Sequence, residues 1–147
     1  AVDEWGFTPL MIAVQQNMQV IAATLLNSFN PKVDVDIAKP TGHNAVFYAT
    51  VHRDHSILRA LLKRGANPNG KIVSSGGSDM EGWTALHYAC KLENMRNIEL
   101  LVEYGADVEA KDSNGKTPDQ VMIDVGTKVK RTIKELFQKA IKKHDEF

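Results

Sequence analysis

The sequence predicts an all-α fold, a solenoid of stacked helix–turn–helix units, and two observations carry that expectation. The first is self-similarity. Four stretches, each opened by a glycine, align on one pattern: Gly6-Phe7-Thr8-Pro9-Leu10, Gly42-His43-Asn44-Ala45-Val46, Gly82-Trp83-Thr84-Ala85-Leu86-His87 and Gly115-Lys116-Thr117-Pro118. The first three continue to Ala13, Ala49 and Ala89, then to the leucine pairs Leu25-Leu26, Leu61-Leu62 and Leu100-Leu101. The second is spacing. The opening glycines stand 36, 40 and 33 residues apart, and periods of that size mark repeat arrays.

Each element follows from local chemistry. Thr8, Asn44, Thr84 and Thr117 can accept from the free amides that begin a helix. Pro9 and Pro118 follow two of them, at the first helical position, where a missing amide costs nothing. Leu10 with Ala13, Val46 with Ala49 and Leu86 with Ala89 lie three apart and so share a helix face. The second helices are predicted to turn inward Ile21, Leu25 and Leu26, then Ile57, Leu61 and Leu62, then Ile98, Leu101 and Val102. Gly65 and Gly105 fit the left-handed residue that ends a helix. Phe29 stands there in the first unit, so that helix must end differently. After Gly126, the residues Val129, Ile133, Leu136, Phe137, Ala140 and Ile141 recur at helical spacing. Lys128, Lys130, Arg131, Lys134, Lys139, Lys142 and Lys143 fill most positions between, opposed only by Glu135, Asp145 and Glu146. This predicts a long amphipathic helix that closes the stack. Asp119 and Met122 depart from the pattern, as a terminal unit with one good face allows.

Residues 3–125 resemble ankyrin repeats, most closely at Asp79-Met80-Glu81-Gly82-Trp83-Thr84-Ala85-Leu86-His87. The ankyrin period is about 33, so the first two spacings exceed it by three (36 − 33) and seven (40 − 33). Both excesses fall between a second helix and the next glycine, near Asn30-Pro31-Lys32 and within Ile72 to Ser78. Loop closure entropy grows slowly with length, so insertions there are tolerated. The resemblance implies a single domain with units at about 3–38, 39–78, 79–111 and 112–147. It further implies L-shaped units with hairpin-like loops, stacked into a curved slab whose concave side, lined by loops and first helices, binds partner proteins.

Composition agrees with a soluble helical module. Of the 147 residues, 43% are hydrophobic and 24% charged, with zero net charge, so no global field draws the chain to nucleic acid or membrane. No run approaches the ~18 apolar residues of a membrane span. The single cysteine, Cys90, has no intrachain disulfide partner and suits a reducing compartment. The expected location is intracellular, cytoplasmic or nuclear. No signal peptide is visible, and the opening Ala1-Val2-Asp3 lies already inside a repeat, which implies a piece of a longer protein. The first unit, with Met11, Met18, Val20, Ile21 and Ala22, lacks the polar outer face of a terminal cap.

The chemistry-bearing clusters are sparse. His87 and Cys90 lie three apart on one helix, but no second pair at zinc-site spacing accompanies them, and the ankyrin pattern places a histidine there to bond backbone and shape the loop. His52 and His55 fall at a turn between helices, with His52 able to face the groove. Gly77-Ser78-Asp79-Met80-Glu81-Gly82-Trp83-Thr84 imitates a phosphate-binding loop, but Trp83 occupies the position of the required lysine. Ser74, Ser75 and Ser78 have no base paired with them. No catalytic residue, cofactor or metal is therefore expected.

Binding residues are expected at the variable positions of the repeat: Trp5, Phe7, Gln15, Gln16, His43, His52, Met80, Glu81, Trp83, Lys91, Leu92 and Lys116, with Glu4, Pro40, Thr41, Val51, Ser113, Asn114, Asp124 and Val125 at related places. The helix–helix core does not require large apolar groups there, yet Trp5, Phe7, Met80, Trp83 and Leu92 are large and apolar. Two readings stay open: tryptophan is enriched among dominant binding residues, and it also packs onto neighbouring loops. The function expected is a non-catalytic protein-interaction module that holds a protein or peptide segment. The alternatives are a regulatory domain docking on a catalytic domain of the same polypeptide, and a lipid or nucleic-acid binder acting through the terminal lysines. The last would be salt-sensitive, and it lacks aromatic residues for base stacking.

Overall fold

Seven α-helices and one 3-10 turn follow the predicted order in the computed structural model, which describes residues 2–27, 33–73, 80–122 and 127–145. The expectations for Phe29, for Asn30-Pro31-Lys32, for Ser74 to Asp79 and for Asp124 to Gly126 concern positions outside that set. The units pair α1 (Pro9–Gln15) with α2 (Gln19–Asn27), α3 (Ala45–Ala49) with α4 (Ser56–Lys63), and α5 (Ala85–Lys91) with α6 (Met95–Glu103). The fourth unit replaces its first helix with the 3-10 turn Pro118–Val121, and α7 (Thr127–Asp145) follows. First helices pack on first helices, α1 on α3 on α5 on the 3-10 turn. Second helices form the other layer, α2 on α4 on α6 on α7. Among the described residues there is no strand, only an isolated bridge between Ala38 and Asn44.

The predicted caps are present. Thr8 accepts from the Met11 amide at 3.1 Å, Asn44 from the Phe47 amide at 3.0 Å, and Thr84 from the His87 amide at 3.4 Å. Thr117 behaves differently: its hydroxyl donates to the Asp119 carboxylate at 2.6 Å, and its amide donates to Gln120 Oε1 at 3.0 Å. Gly65 and Gly105 end α4 and α6 at φ 91° and 93°. The opening glycines Gly6, Gly42, Gly82 and Gly115 also have positive φ, and at Gly42 a Cβ would in addition lie 2.3 Å from the Lys71 carbonyl oxygen of the next loop.

Leu10, Ala13, Val46, Ala49, Leu86 and Ala89 are all buried, as their shared face requires. One inward position in the second helices is corrected. Counted from its opening glycine, Ala22 lines up with Leu58 and Ile98, and all three are buried. Ile21 lines up instead with Ile57 and Asn97, and it is 52% exposed. Ile57 is covered by the unit before it, beside Val20, Ala23 and Leu26, and among the described residues no such unit stands before Ile21. At the far end α7 sets Ile133 and Phe137 into the core, with Val129, Leu136, Ala140 and Ile141 half-buried against it. Lys128, Arg131, Lys134, Lys139, Lys142 and Lys143 lie on the solvent side.

Units are tied by a polar ladder as well as by packing. His52 Nε2 donates to the Val14 carbonyl at 2.8 Å. Asn97 Nδ2 donates to the carbonyls of Thr50 at 3.1 Å and His52 at 3.2 Å. In the loops, the Asn67 amide bonds Asp36 Oδ1 and the Asp107 amide bonds Asn69 Oδ1, each at 2.7 Å.

Candidate functional site

The hairpin loops are held by a local device. In the first unit the Asp3 carboxylate accepts the amides of Trp5 at 3.0 Å and Phe7 at 2.8 Å, while the Asp3 amide bonds the Phe7 carbonyl at 3.0 Å. Asp112 repeats this with the amides of Asn114 and Lys116, each at 2.9 Å. Those two loops thereby present Phe7 and Lys116, the residues after their glycines; His43 and Trp83 follow the glycines of the second and third loops, and the matching first-helix position is held by Ile12, Tyr48 and Tyr88.

These two columns meet in a strip of rings that crosses three units. Phe7 stacks on Tyr48 with centroids 5.8 Å apart. His43 lies 5.9 Å from Tyr48 and meets Phe47 edge-on at 4.8 Å. Phe47 reaches Tyr88 at 4.8 Å, and Tyr88 reaches Trp83 at 6.3 Å. The Lys39 ammonium sits 3.8 Å from the centre of the Phe7 ring, a cation–π contact. Phe7, His43, Tyr48 and Tyr88 are half-buried, so ring faces and edges reach solvent, whereas Phe47 is buried beneath them. Burial holds the Tyr48 phenol above its usual range.

The structure separates the two tryptophans. Trp5 precedes its glycine and is 66% exposed; Trp83 follows its glycine and is 7% exposed. They do not occupy equivalent positions, and Trp83 is not an open contact residue. Its Nε1 donates to Asp112 Oδ2 at 3.1 Å, pinning the third unit to the fourth loop. The expectation that the fold does not need Trp83 is corrected on the same ground. His52 is likewise committed between units through Val14. Met80 is half-buried against the core, while Gln15, Gln16, Glu81, Lys91, Leu92 and Lys116 are exposed.

His87 performs the backbone role its position implied. The Thr84 amide donates to Nδ1 at 3.1 Å, which leaves Nε2 protonated to donate to the Lys116 carbonyl at 3.0 Å. Both ring nitrogens are thus engaged, and Cys90 is buried, its thiol pushed up by burial and by the nearby Asp119 carboxylate. Among the described residues no three His, Cys, Asp or Glu side chains group as a metal site. No helix among them is long and apolar enough to cross a membrane.

Residues 1–72 match a family model described as ankyrin repeats (3 copies), and residues 81–113 match one described as a single ankyrin repeat. The chain belongs to the ankyrin-repeat family. It is 28% identical over 141 residues to human SH3 and multiple ankyrin repeat domains protein 2, covering 78% of this chain and 8% of that protein. It is 33% identical over 112 residues to human B-cell lymphoma 3 protein, covering 76% and 23%. It is 27% identical over 126 residues to palmitoyltransferase AKR1 of Lachancea kluyveri, covering 85% and 16%. The chain spans between 8% and 23% of the length of these relatives. Ankyrin repeats generally mediate protein–protein interaction.

The buried histidine is expected to make the ankyrin stack acid-sensitive. Burial holds His87 below its ordinary value of 6.5, against the opposing pull of the Lys116 carbonyl and of Asp112 and Asp119, and with a small further push from Lys71. Burial, then Lys39, hold His43 down as well. The unfolded chain therefore takes up protons at about pH 6.5 while the folded chain resists them. This contribution is fully present above that pH and is lost as pH falls below it. The urea midpoint is expected to drop between about pH 7.5 and about pH 5.5, and His87→Gln should shrink that drop while lowering stability at both. An equal drop in the variant would show that His87 does not carry the effect.

Proposed function

We propose that this ankyrin stack is a non-catalytic interaction module that holds an extended segment or loop of another protein against its loop and first-helix side. One observation carries the reading: the ring strip from Phe7 through Tyr48 and His43 to Tyr88 stays part-exposed across three units, with the exposed side chains of Trp5, Ile12 and Leu92 around it. Aromatic rings supply large contact areas at low entropic cost. Docking on a catalytic domain of the same polypeptide would use this same side, and the match to part of a palmitoyltransferase is the observation that favours it. The free, buried Cys90 supports a reducing, intracellular setting, cytoplasmic or nuclear.

Peptides selected from a displayed library against the chain test the site. Trp5→Ala and Tyr48→Ala should each weaken a selected ligand by at least about 2 kcal/mol, roughly 30-fold. Lys142→Ala with Lys143→Ala should leave it unchanged. Binding that ignores both aromatic changes and collapses with the lysines would move the site to α7 and sink the proposal.

A further inference from the structure

The four hairpin loops share one entry position. The amides of Asp3, Lys39, Ile72 and Asp112 donate to the carbonyls of Phe7, His43, Trp83 and Lys116 at 3.0, 2.8, 2.9 and 2.9 Å, and their own carbonyls accept from the opening glycines. In the first and fourth loops the side chain there is a carboxylate that takes two further amides, at 2.8 to 3.0 Å. In the second loop it is Lys39, which offers no acceptor; Thr41 Oγ1 and His43 Nδ1, 2.7 Å apart, bond one another instead. The second loop thus forgoes two charge-assisted bonds and sets an ammonium 3.8 Å from the centre of the Phe7 ring, on the ring strip. Lys39 is half-buried there, and its charge is felt at His43. Three more lysines border the strip. Lys116 stands in the column of Phe7 and His43, and Lys91 is one turn beyond Tyr88 on α5. Lys71 enters the third loop, where its Nζ donates to the Lys111 carbonyl at 3.2 Å. The ion pairs among the described residues, Arg96 with Glu99 and Arg131 with Glu135, involve none of these four lysines. The exposed Glu4 and Glu81 lie in the turns of the first and third loops and pair with none of them.

We propose, on the reading that the strip is the binding site, that the protein segment held there is acidic, with a carboxylate paired to Lys39 and an adjoining apolar side chain laid on the Phe7 and Tyr48 rings. Charge complementarity selects this partner. A carboxylate drawn to Lys39 comes within reach of both rings, because the ammonium already sits on Phe7 and Phe7 stacks on Tyr48. The half-buried ammonium has shed part of its hydration, so a carboxylate gains more there than at a lysine standing free in water. A basic segment would meet four positive charges before it reached the rings. A nucleic-acid strand would need a succession of free ring faces for its bases, whereas these rings pack on one another at 4.8 to 6.3 Å. The chain's zero net charge also gives a phosphate backbone no long-range attraction.

Peptides selected from a displayed random library on the parent chain should be rich in Asp and Glu beside aromatic or aliphatic residues, and selection on Lys39→Asp should lose that enrichment. For a selected acidic peptide followed by fluorescence anisotropy, Lys39→Gln should weaken binding at least about 5-fold and Lys39→Asp at least about 10-fold. Lys39→Asp also gives the second loop the carboxylate that the first and fourth carry, so its urea midpoint should not fall below the parent's. A lysine kept for a partner loses binding alone; a lysine kept for the loop loses stability too, and a lowered midpoint would overturn the proposal. If Tyr48→Ala weakens the peptide while both Lys39 variants bind as the parent does, the strip is the site and the acidic partner is refuted. If Tyr48→Ala has no effect either, the site itself lies elsewhere and the acidic partner falls with it. Equal selection of basic and acidic peptides would overturn the proposal. So would a labelled single-stranded oligonucleotide of mixed sequence that binds with the same dependence on Lys39 and Tyr48, since nucleic acid would then be the partner.

Discussion

Replacing Trp83 with alanine is expected to destabilise the protein by about 3–5 kcal/mol, the usual range for removing a large aromatic ring from a packed core. The ring is buried, stacks 6.2 Å from His87 and tilts against Tyr88 at 6.3 Å. Its Nε1 satisfies one oxygen of the buried Asp112, whose other oxygen holds the fourth loop through Asn114 and Lys116. Truncation therefore opens a cavity in the third unit and loosens the junction with the fourth. Trp5→Ala, which removes a ring standing mostly in water, should stay within about 0.5 kcal/mol. Urea titrations followed by circular dichroism separate the two. A Trp83→Ala midpoint that matches the parent would show that the ring is not part of the core. Trp83→Phe should recover most of the packing but leave Asp112 with one partner fewer, and so should fall between.

That contrast shows where the sequence was sufficient and where it was not. The helix pairs, their caps and the closing amphipathic helix were legible because each rests on local chemistry repeated at a fixed offset: a capping hydroxyl or amide, a proline without an amide to lose, a glycine at positive φ. Trp5 and Trp83 look alike in composition and lie on opposite sides of their glycines. Two residues of offset across a tight loop separate a ring in solvent from one under the next unit. Ile21 was misjudged for a different reason: its counterpart Ile57 is buried by the unit before it, and among the described residues no helix pair stands before the first unit. Tyr48 and Tyr88 were missed as part of the strip, although both stand six residues after their glycines. That recurrence was the available signal. Their contact with Phe7 and Phe47 depends on how far one unit is displaced from the next, and no single unit's sequence encodes that displacement.

The core register makes the second large prediction. Leu61→Ala and Leu101→Ala should each cost about 2–5 kcal/mol, since both side chains are fully buried at the same second-helix position in adjacent units. Leu25 occupies that position in the first unit and is half-buried, so Leu25→Ala should cost roughly half as much, in proportion to the apolar area withdrawn from water. Chemical denaturation of the three variants gives the comparison directly. Losses below about 0.5 kcal/mol at both Leu61 and Leu101 would mean that the register is wrong. Equal losses at all three would mean that Leu25 is as enclosed as its counterparts. A solenoid draws stability from its unit interfaces as much as from the units themselves, so one chemical change repeated along one column measures how many neighbours each unit has. Leu61 and Leu101 have a helix pair before them and helical structure after them. Leu25 is half-buried in the first unit, and the size of its deficit measures how much less cover it has than its two counterparts.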